Sequence, residues 1–187
     1  MSAVEIGQSL PDSIRALTLL RADGESVSLA SLIAKPAMVL VFLRHFGCLA
    51  CREHVGLWKP HLAKFVELGV RVHFVGNGDV AHLREFIDKA GLTDASADVL
   101  TDPEQRVYAA LGLENSVASV LSPGAMFNAL RAVARGNIQT SVEGDPTQQG
   151  GVLIVDADGQ VVLLHREARL GDYLPVEDAL ASVPLDR

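Results

Sequence analysis

Two adjoining stretches decide how this chain is read: Ala37-Met38-Val39-Leu40-Val41-Phe42-Leu43, then Arg44-His45-Phe46-Gly47-Cys48-Leu49-Ala50-Cys51-Arg52-Glu53. The first is short, apolar and rich in strand formers, the pattern of a buried strand. Residues 52–67 then read as a helix. Cys48 therefore falls in a strand-to-helix turn and Cys51 in the first helical turn. Unpaired backbone N–H groups and the positive end of the helix dipole point at such a place. They favour thiolate over thiol, and in CxxC motifs at helix starts a thiol pKa falls from about 8.5 to roughly 3.5–7.5. Arg44 and Arg52 add positive charge nearby. The thiolate is the nucleophile, so the spacing points to sulfur redox chemistry.

Two blander readings compete. Cysteines are often inert core residues, and a CxxC is also half of a structural zinc site. Zinc needs four ligands. The chain has only these two cysteines, and His54 or His61 joins such a set only if the helix turns it inward. A redox pair is the leading interpretation for CxxC beside a βαβ pattern, and no metal or bound cofactor is expected.

Length and charge bound the rest. The 187 residues suit one domain, 1–187, with a full core. A net charge of −7 argues against a nucleic-acid partner. Glu5, Asp12, Arg15, Asp23 and Glu25 break up the beginning of the chain, so no signal-peptide pattern is expected. No apolar run approaches the ~20 residues that span a bilayer. A cytoplasmic, non-membrane protein is the expectation, and there a disulfide is more often transient than structural. A Cys48–Cys51 bridge would also close too small a loop to constrain the unfolded chain much.

Around the CxxC the elements alternate. Leu17–Leu20 and Val27–Leu29 flank Ala22-Asp23-Gly24-Glu25, an N-terminal β-hairpin signal, after a turn-rich entry at Gly7–Asp12. Ser28 or Ser31 suits the cap of a short turn through Leu32. Pro60 predicts a kink or break near Lys59. Val70–Val75 alternates as a strand, and Asn77 or Asp79 caps a helix over 80–90 closed by Gly91. A strand over 98–101 leads to a helix over 104–111, begun by Pro103 and ended by Gly112. Residues 113–150 break the rhythm. Ser122-Pro123 and the stripe Met126, Phe127, Leu130, Val133 predict an inserted helix. A hairpin, 151–155 and 160–164 around Asp156-Ala157-Asp158-Gly159, and a helix from Pro175 to about Val183 close the chain. The order predicts an α/β fold, a mixed central sheet with helices on both faces.

A strand feeding a CxxC helix, with a closing hairpin and helix, resembles the thioredoxin-like fold. Further motifs narrow the likeness: Gly7…Leu10-Pro11-Asp12; Asp23-Gly24…Val27-Ser28-Leu29; the strand after Lys35-Pro36; Arg44-x-Phe46-Gly47-Cys48-x-x-Cys51-Arg52; Tyr108…Leu111-Gly112; Gly144-Asp145; Gln149-Gly150-Gly151-Val152-Leu153; Leu163-Leu164-His165; and Gly171-Asp172-Tyr173-x-Pro175-x-Glu177. Together they resemble the AhpC/TSA (peroxiredoxin) superfamily, in its peroxiredoxin-like branch that includes prostamide/prostaglandin F synthase.

The resemblance implies a peroxiredoxin-type fold and a thiol-disulfide oxidoreductase cycling Cys48 and Cys51. Its substrate would be a peroxide, an endoperoxide or a protein disulfide, its electron donor thioredoxin-like or another thiol, and its assembly a homodimer. Arg44, His45, Gly47 and Arg52 would support the site. The alternative class is a non-enzymatic redox-sensing or partner-binding module. The chain departs from the family's Pro-x-x-x-Thr-x-x-Cys pattern, with Arg44 at the proline, Cys48 at the threonine and Cys51 at the peroxide-reacting cysteine. Gln149-Gly150 also stands where typical members place an arginine. Thioredoxin logic makes the more exposed Cys48 the attacker and Cys51 its resolver, and the sequence leans that way. Peroxiredoxin logic gives Cys51 the peroxide and Cys48 the resolving role. Arg44 reads as an anion holder or a surface charge, and His45 as a proton shuttle or a partly exposed structural residue. Glu53 reads as serving the helix start, Tyr173 as packing with a bonded hydroxyl, and Trp58 as core; the other histidines carry no motif.

Overall fold

The computed structural model describes residues 4–47, 49–92, 97–113 and 147–184. Its strands form one seven-stranded mixed sheet in the order β2-β1-β5-β4-β3-β6-β7. They are β1 (Thr18–Leu20), β2 (Ser26–Ser28), β3 (Ala37–Phe42), β4 (Val72–Gly76), β5 (Ala97–Thr101), β6 (Gly151–Asp156) and β7 (Val161–Arg166). β3, β4 and β5 run parallel, and β6 runs antiparallel to β3 with Phe42 opposite Gly151. The helices are α1 (Asp12–Arg15), α2 (Leu29–Leu32), α3 (Leu49–Trp58), α4 (Leu62–Glu67), α5 (Val80–Ala90), α6 (Arg106–Ala110) and α7 (Val176–Ala181).

Alternation along the strands builds two apolar layers. Val39 and Val41 of β3 and Val152 and Ile154 of β6 face one layer, which α3, α4, α5 and α7 cover with Val55, Trp58, Phe65, Leu83, Phe86 and Ala179. Met38, Leu40 and Phe42, with Leu153 and Val155, face the other, covered by Ile14, Leu29, Val107, Tyr108 and Leu111. The mixed sheet with helices on both faces is therefore present.

Local chemistry explains most boundaries. The Asp79 side chain accepts the His82 N–H at 2.9 Å, and Gly91 ends α5 in the left-handed conformation. Pro60 sits in a 3₁₀ turn, Lys59–His61, that divides α3 from α4. Ser28 caps α2 through the Ser31 N–H at 3.2 Å.

Three details differ from the sequence reading. The CxxC helix begins at Leu49 rather than Arg52, so Cys51 is its third residue. The entry segment holds a short helix, α1, whose Arg15 guanidinium reaches Leu10 O, Ser9 Oγ and Gly159 O and so ties the chain start to the β6–β7 turn. α6 begins at Arg106 rather than Glu104, because the Asp102 carboxylate, not Pro103, organises its start. The helix expected within 113–150 falls on residues 114–146, outside the described residues.

Candidate active site at the carboxyl end of the sheet

The topology gathers one set of chain ends. The parallel strands β3, β4 and β5 finish on one side, and the registers of β6 and β7 bring the residue before β6 and the residue after β7 to that same side. The strand order also reverses here: after β3 the chain builds β4 and β5 to one side, then returns to place β6 on the other. Open α/β sheets form their crevices at such points. Buried polar residues collect there: Arg44 and His45 after β3, Asn77 after β4, Thr101 and Asp102 at the end of β5, Gln148 before β6 and Glu167 after β7.

The loop from β3 to α3 is held at two points. Leu43 N–H donates to Val75 O at 2.7 Å, carrying the β3–β4 pairing one residue further. Phe46 lies directly on Gly76, where a Cβ would collide with the ring, and packs on Phe86 with ring centroids 5.1 Å apart. Between these anchors the Arg44 backbone N–H donates to Cys51 Sγ at 3.1 Å. Cys51 is 2% exposed. A backbone donor on sulfur at the start of a helix stabilises the charged form of a thiol.

The proposed supporting residues lie on the loop and helix that carry this sulfur. Arg44 and His45 are each 3% exposed, which excludes a surface charge for Arg44 and a partly exposed position for His45. Gly47 is buried in the turn and Arg52 is half-buried on α3. Cys48 lies outside the described residues. Among the described residues no three His, Cys, Asp or Glu side chains come together as a metal site, and no helix is long and apolar enough to cross a membrane.

Behind Cys51 on the same helix sits a buried group that the sequence did not reveal. His54 turns inward, with Nδ1 3.6 Å from Glu167 Oε1, both residues nearly fully buried. Burial first, and the nearby His165 second, lower the His54 pKa to about 3. At neutral pH the imidazole is therefore uncharged, and the contact is not an ion pair. Tyr173 stacks on His54 with centroids 4.4 Å apart, and its hydroxyl donates to Glu53 Oε2 at 3.4 Å. His165 Nε2–H donates to Asp172 O at 2.8 Å. Tyr173 thus packs with a bonded hydroxyl, as its sequence context suggested, and Trp58 is core, stacked on Phe65 and fully buried. Gly150 fits beside Glu167 because it lacks a side chain: a Cβ would stand 2.7 Å from both Glu167 Oε1 and Phe42 O.

On the opposite face of the sheet, Tyr108 of α6 extends its hydroxyl to Leu43 O at 2.6 Å and Val75 O at 2.8 Å. Asp102 accepts the N–H groups of Arg106, Val107 and Tyr108 and so fixes the first turn of α6. Burial raises the Asp102 pKa, and these three donors oppose it. Burial, then the charges of Asp102, Cys51 and Glu167, push the Tyr108 pKa well up, so its phenol stays protonated. An Asp ahead of a helix is a readable cap signal, whereas nothing in the sequence marks His54 or Glu167.

A CxxC helix leaving the central strand of a mixed sheet, with its buried sulfur on a backbone N–H, defines a thioredoxin-like fold of the peroxiredoxin type. Solved peroxiredoxins share it. The reduced Prx3 of Vibrio vulnificus in complex with H2O2 superposes with a TM-score of 0.68 at 19% identity, over 97% of this chain and 99% of that one. The peroxidoxin BcpB of Mycobacterium tuberculosis does so with a TM-score of 0.69 at 14% identity, over 98% and 99%. A family model described as AhpC/TSA antioxidant enzyme matches residues 57–169. Peroxiredoxin-like 2C of Mus musculus is 30% identical over 97% of this chain and 84% of that protein. Prostamide/prostaglandin F synthase of Salmo salar is 36% identical over 83% and 78%. The chain belongs to the AhpC/TSA family, and with it to the peroxiredoxin-like thiol-dependent oxidoreductases.

Proposed function

We propose that this protein reduces a peroxide or endoperoxide through a Cys48–Cys51 dithiol–disulfide cycle in which Cys51 takes the oxygen. The observation that carries the assignment is the Arg44 N–H on the buried Cys51 Sγ at 3.1 Å. The Cys51 thiolate attacks one peroxide oxygen and the O–O bond breaks. With a hydroperoxide the alkoxide leaves as alcohol after taking a proton, Cys51 becomes a sulfenic acid, and the Cys48 thiol condenses with it to give a disulfide and water. With an endoperoxide both oxygens stay on the substrate: one takes a proton, the other is held to Cys51 as a sulfenate ester, and Cys48 displaces it as the second hydroxyl when the disulfide forms. A thioredoxin-like or other dithiol donor reduces the disulfide and is itself oxidised. Arg44 and His45, both buried on the loop between β3 and α3, are assigned the developing charge and the proton, a role their burial near Cys51 in the chain supports. The peroxide class is supported by relatives called peroxiredoxin-like 2C and prostamide/prostaglandin F synthase. A reducing compartment such as the cytoplasm, which keeps both thiols available, belongs to the proposal.

The test is stopped-flow oxidation of the reduced protein by hydrogen peroxide, followed by the fluorescence of Trp58, which lies on the same helix as Cys51. The expected result is oxidation that Cys51→Ser abolishes and Cys48→Ser preserves for one turnover, stopping at a dimedone-reactive sulfenic acid. The reverse pattern would make Cys48 the attacker and end this assignment.

A further inference from the structure

We infer that Tyr108 is a positioning residue for the Cys51 thiolate, acting through the Leu43–Arg44 peptide unit. This deepens the reading of Cys51 as the reactive sulfur and rests on it.

One peptide unit joins the phenol to the sulfur. Its carbonyl belongs to Leu43 and its N–H to Arg44, and in a planar trans peptide the two point in opposite directions. Tyr108 Oη–H donates to the carbonyl at 2.6 Å. The N–H donates to Cys51 Sγ at 3.1 Å. Tyr108 lies in the apolar layer on one face of the sheet and Cys51 in the layer on the other. The peptide that ends β3 therefore joins the two layers, and the phenol's hold on its oxygen aims its N–H at the sulfur.

Three features fix the phenol. Asp102 caps α6 with bonds to three consecutive N–H groups, Tyr108's among them. The ring packs edge-on against Phe42 at 5.0 Å. The same hydroxyl reaches Val75 O at 2.8 Å, so it ties the ends of both β3 and β4. A donor on the carbonyl also polarises the peptide and strengthens its N–H as a donor. Burial keeps the phenol protonated, so it donates throughout the range in which a thiol titrates.

Other charged or titratable groups stand at this end of the sheet: Arg44 and His45 on the loop, Arg52 and Glu53 on α3, and Asp102 and Glu167 on the segments after β5 and β7. Tyr108→Phe leaves all six in place and removes only the hydroxyl.

The experiment uses the full-length Cys48→Ser protein, whose sole thiol is Cys51, with and without Tyr108→Phe. The thiolate is titrated by its ultraviolet absorbance between pH 4 and 9, and peroxide consumption is measured separately. In the Cys48→Ser parent the thiol is expected to titrate below the ordinary ~8.5. Tyr108→Phe is expected to raise that midpoint by about one unit, leaving roughly tenfold less thiolate at a pH below it. A depressed midpoint that Tyr108→Phe leaves unchanged overturns this inference and spares the peroxidase assignment. A shifted midpoint in a protein that consumes no peroxide sustains the inference and ends that assignment. An ordinary midpoint in the parent ends both. If Tyr108→Phe does not fold, Phe42→Leu, which loosens the packing of the Tyr108 ring and changes no charge, must give a smaller shift in the same direction, and its absence overturns the inference.

Discussion

The two apolar layers and the carboxyl end of the sheet are both buried, but they are built by different rules. In the layers, Val, Leu, Phe and Trp alternate off the strands and meet helix side chains, so any residue of similar shape serves. At the strand ends Arg44, His45, Asn77, Asp102, Gln148 and Glu167 are just as buried, yet each is a group that water would otherwise solvate. Such groups are tolerable only where specific partners are supplied, such as Leu113 O for Gln148 Nε2 at 2.9 Å or the α6 N–H groups for Asp102. The layers carry the stability. The polar end gives up some of it to hold one sulfur against one N–H.

The largest effect should come from the layers. Trp58, fully buried between Phe65 and Phe74, should cost about 3–5 kcal/mol when replaced by alanine, read from urea unfolding. If Trp58→Ala costs less than a polar-end substitution, the division of labour drawn here is wrong.

The second effect is specific to the polar end and depends on pH. His54 is neutral in the fold, with a pKa of about 3 against 6.5 when exposed. The unfolded chain therefore binds a proton that the folded one refuses, and stability falls as the pH drops from about 6.5 toward 3. The slope is about 1.4 kcal/mol per pH unit for one such group. His54→Gln should flatten the stability curve between pH 6 and pH 4 by about that slope. Parallel curves for the two proteins would mean that His54 charges freely in the fold. Asp98, held down first by its hydrogen bond to His73, contributes alike to both proteins and cancels in the comparison.

Smaller still, Tyr108→Phe should cost about 1–3 kcal/mol, the penalty for leaving the Leu43 carbonyl without its donor. Val75 O keeps the Leu43 N–H and adds little. A loss near zero would show that water replaces the phenol. The smallest change belongs to the periphery of the layers: Ser28→Ala removes the α2 cap and should cost about 1 kcal/mol, with no change in thiol titration. A shift in that titration would couple α2 to the site and blur the contrast.

The elements of this fold were legible wherever neighbours in sequence do the work. An apolar run marks β3, alternation marks β4, and the Asp156–Gly159 turn marks the β6–β7 hairpin. Asp79 and Gly91 bracket α5, Pro60 divides the helix after the CxxC, and the Asp23-Gly24 turn joins β1 to β2. The CxxC itself named the sulfur chemistry, because strand, turn and helix start are local facts. Helix starts were less secure. α3 and α6 each begin elsewhere than expected, and the first turn of α6 depends on the Asp102 side chain reaching forward to the N–H groups of Arg106, Val107 and Tyr108.

What tertiary structure alone decided is which buried polar groups meet at this end of the sheet. Glu167 lies far along the chain from His54, and Tyr108 far from Leu43, and no periodicity connects them. They meet because the registers of β3, β4, β6 and β7 bring distant chain ends to one side of a sheet. Sequence patterns report which face of an element is apolar. They do not report which buried polar group will find which partner, because that depends on the stacking of strands that the chain visits out of order.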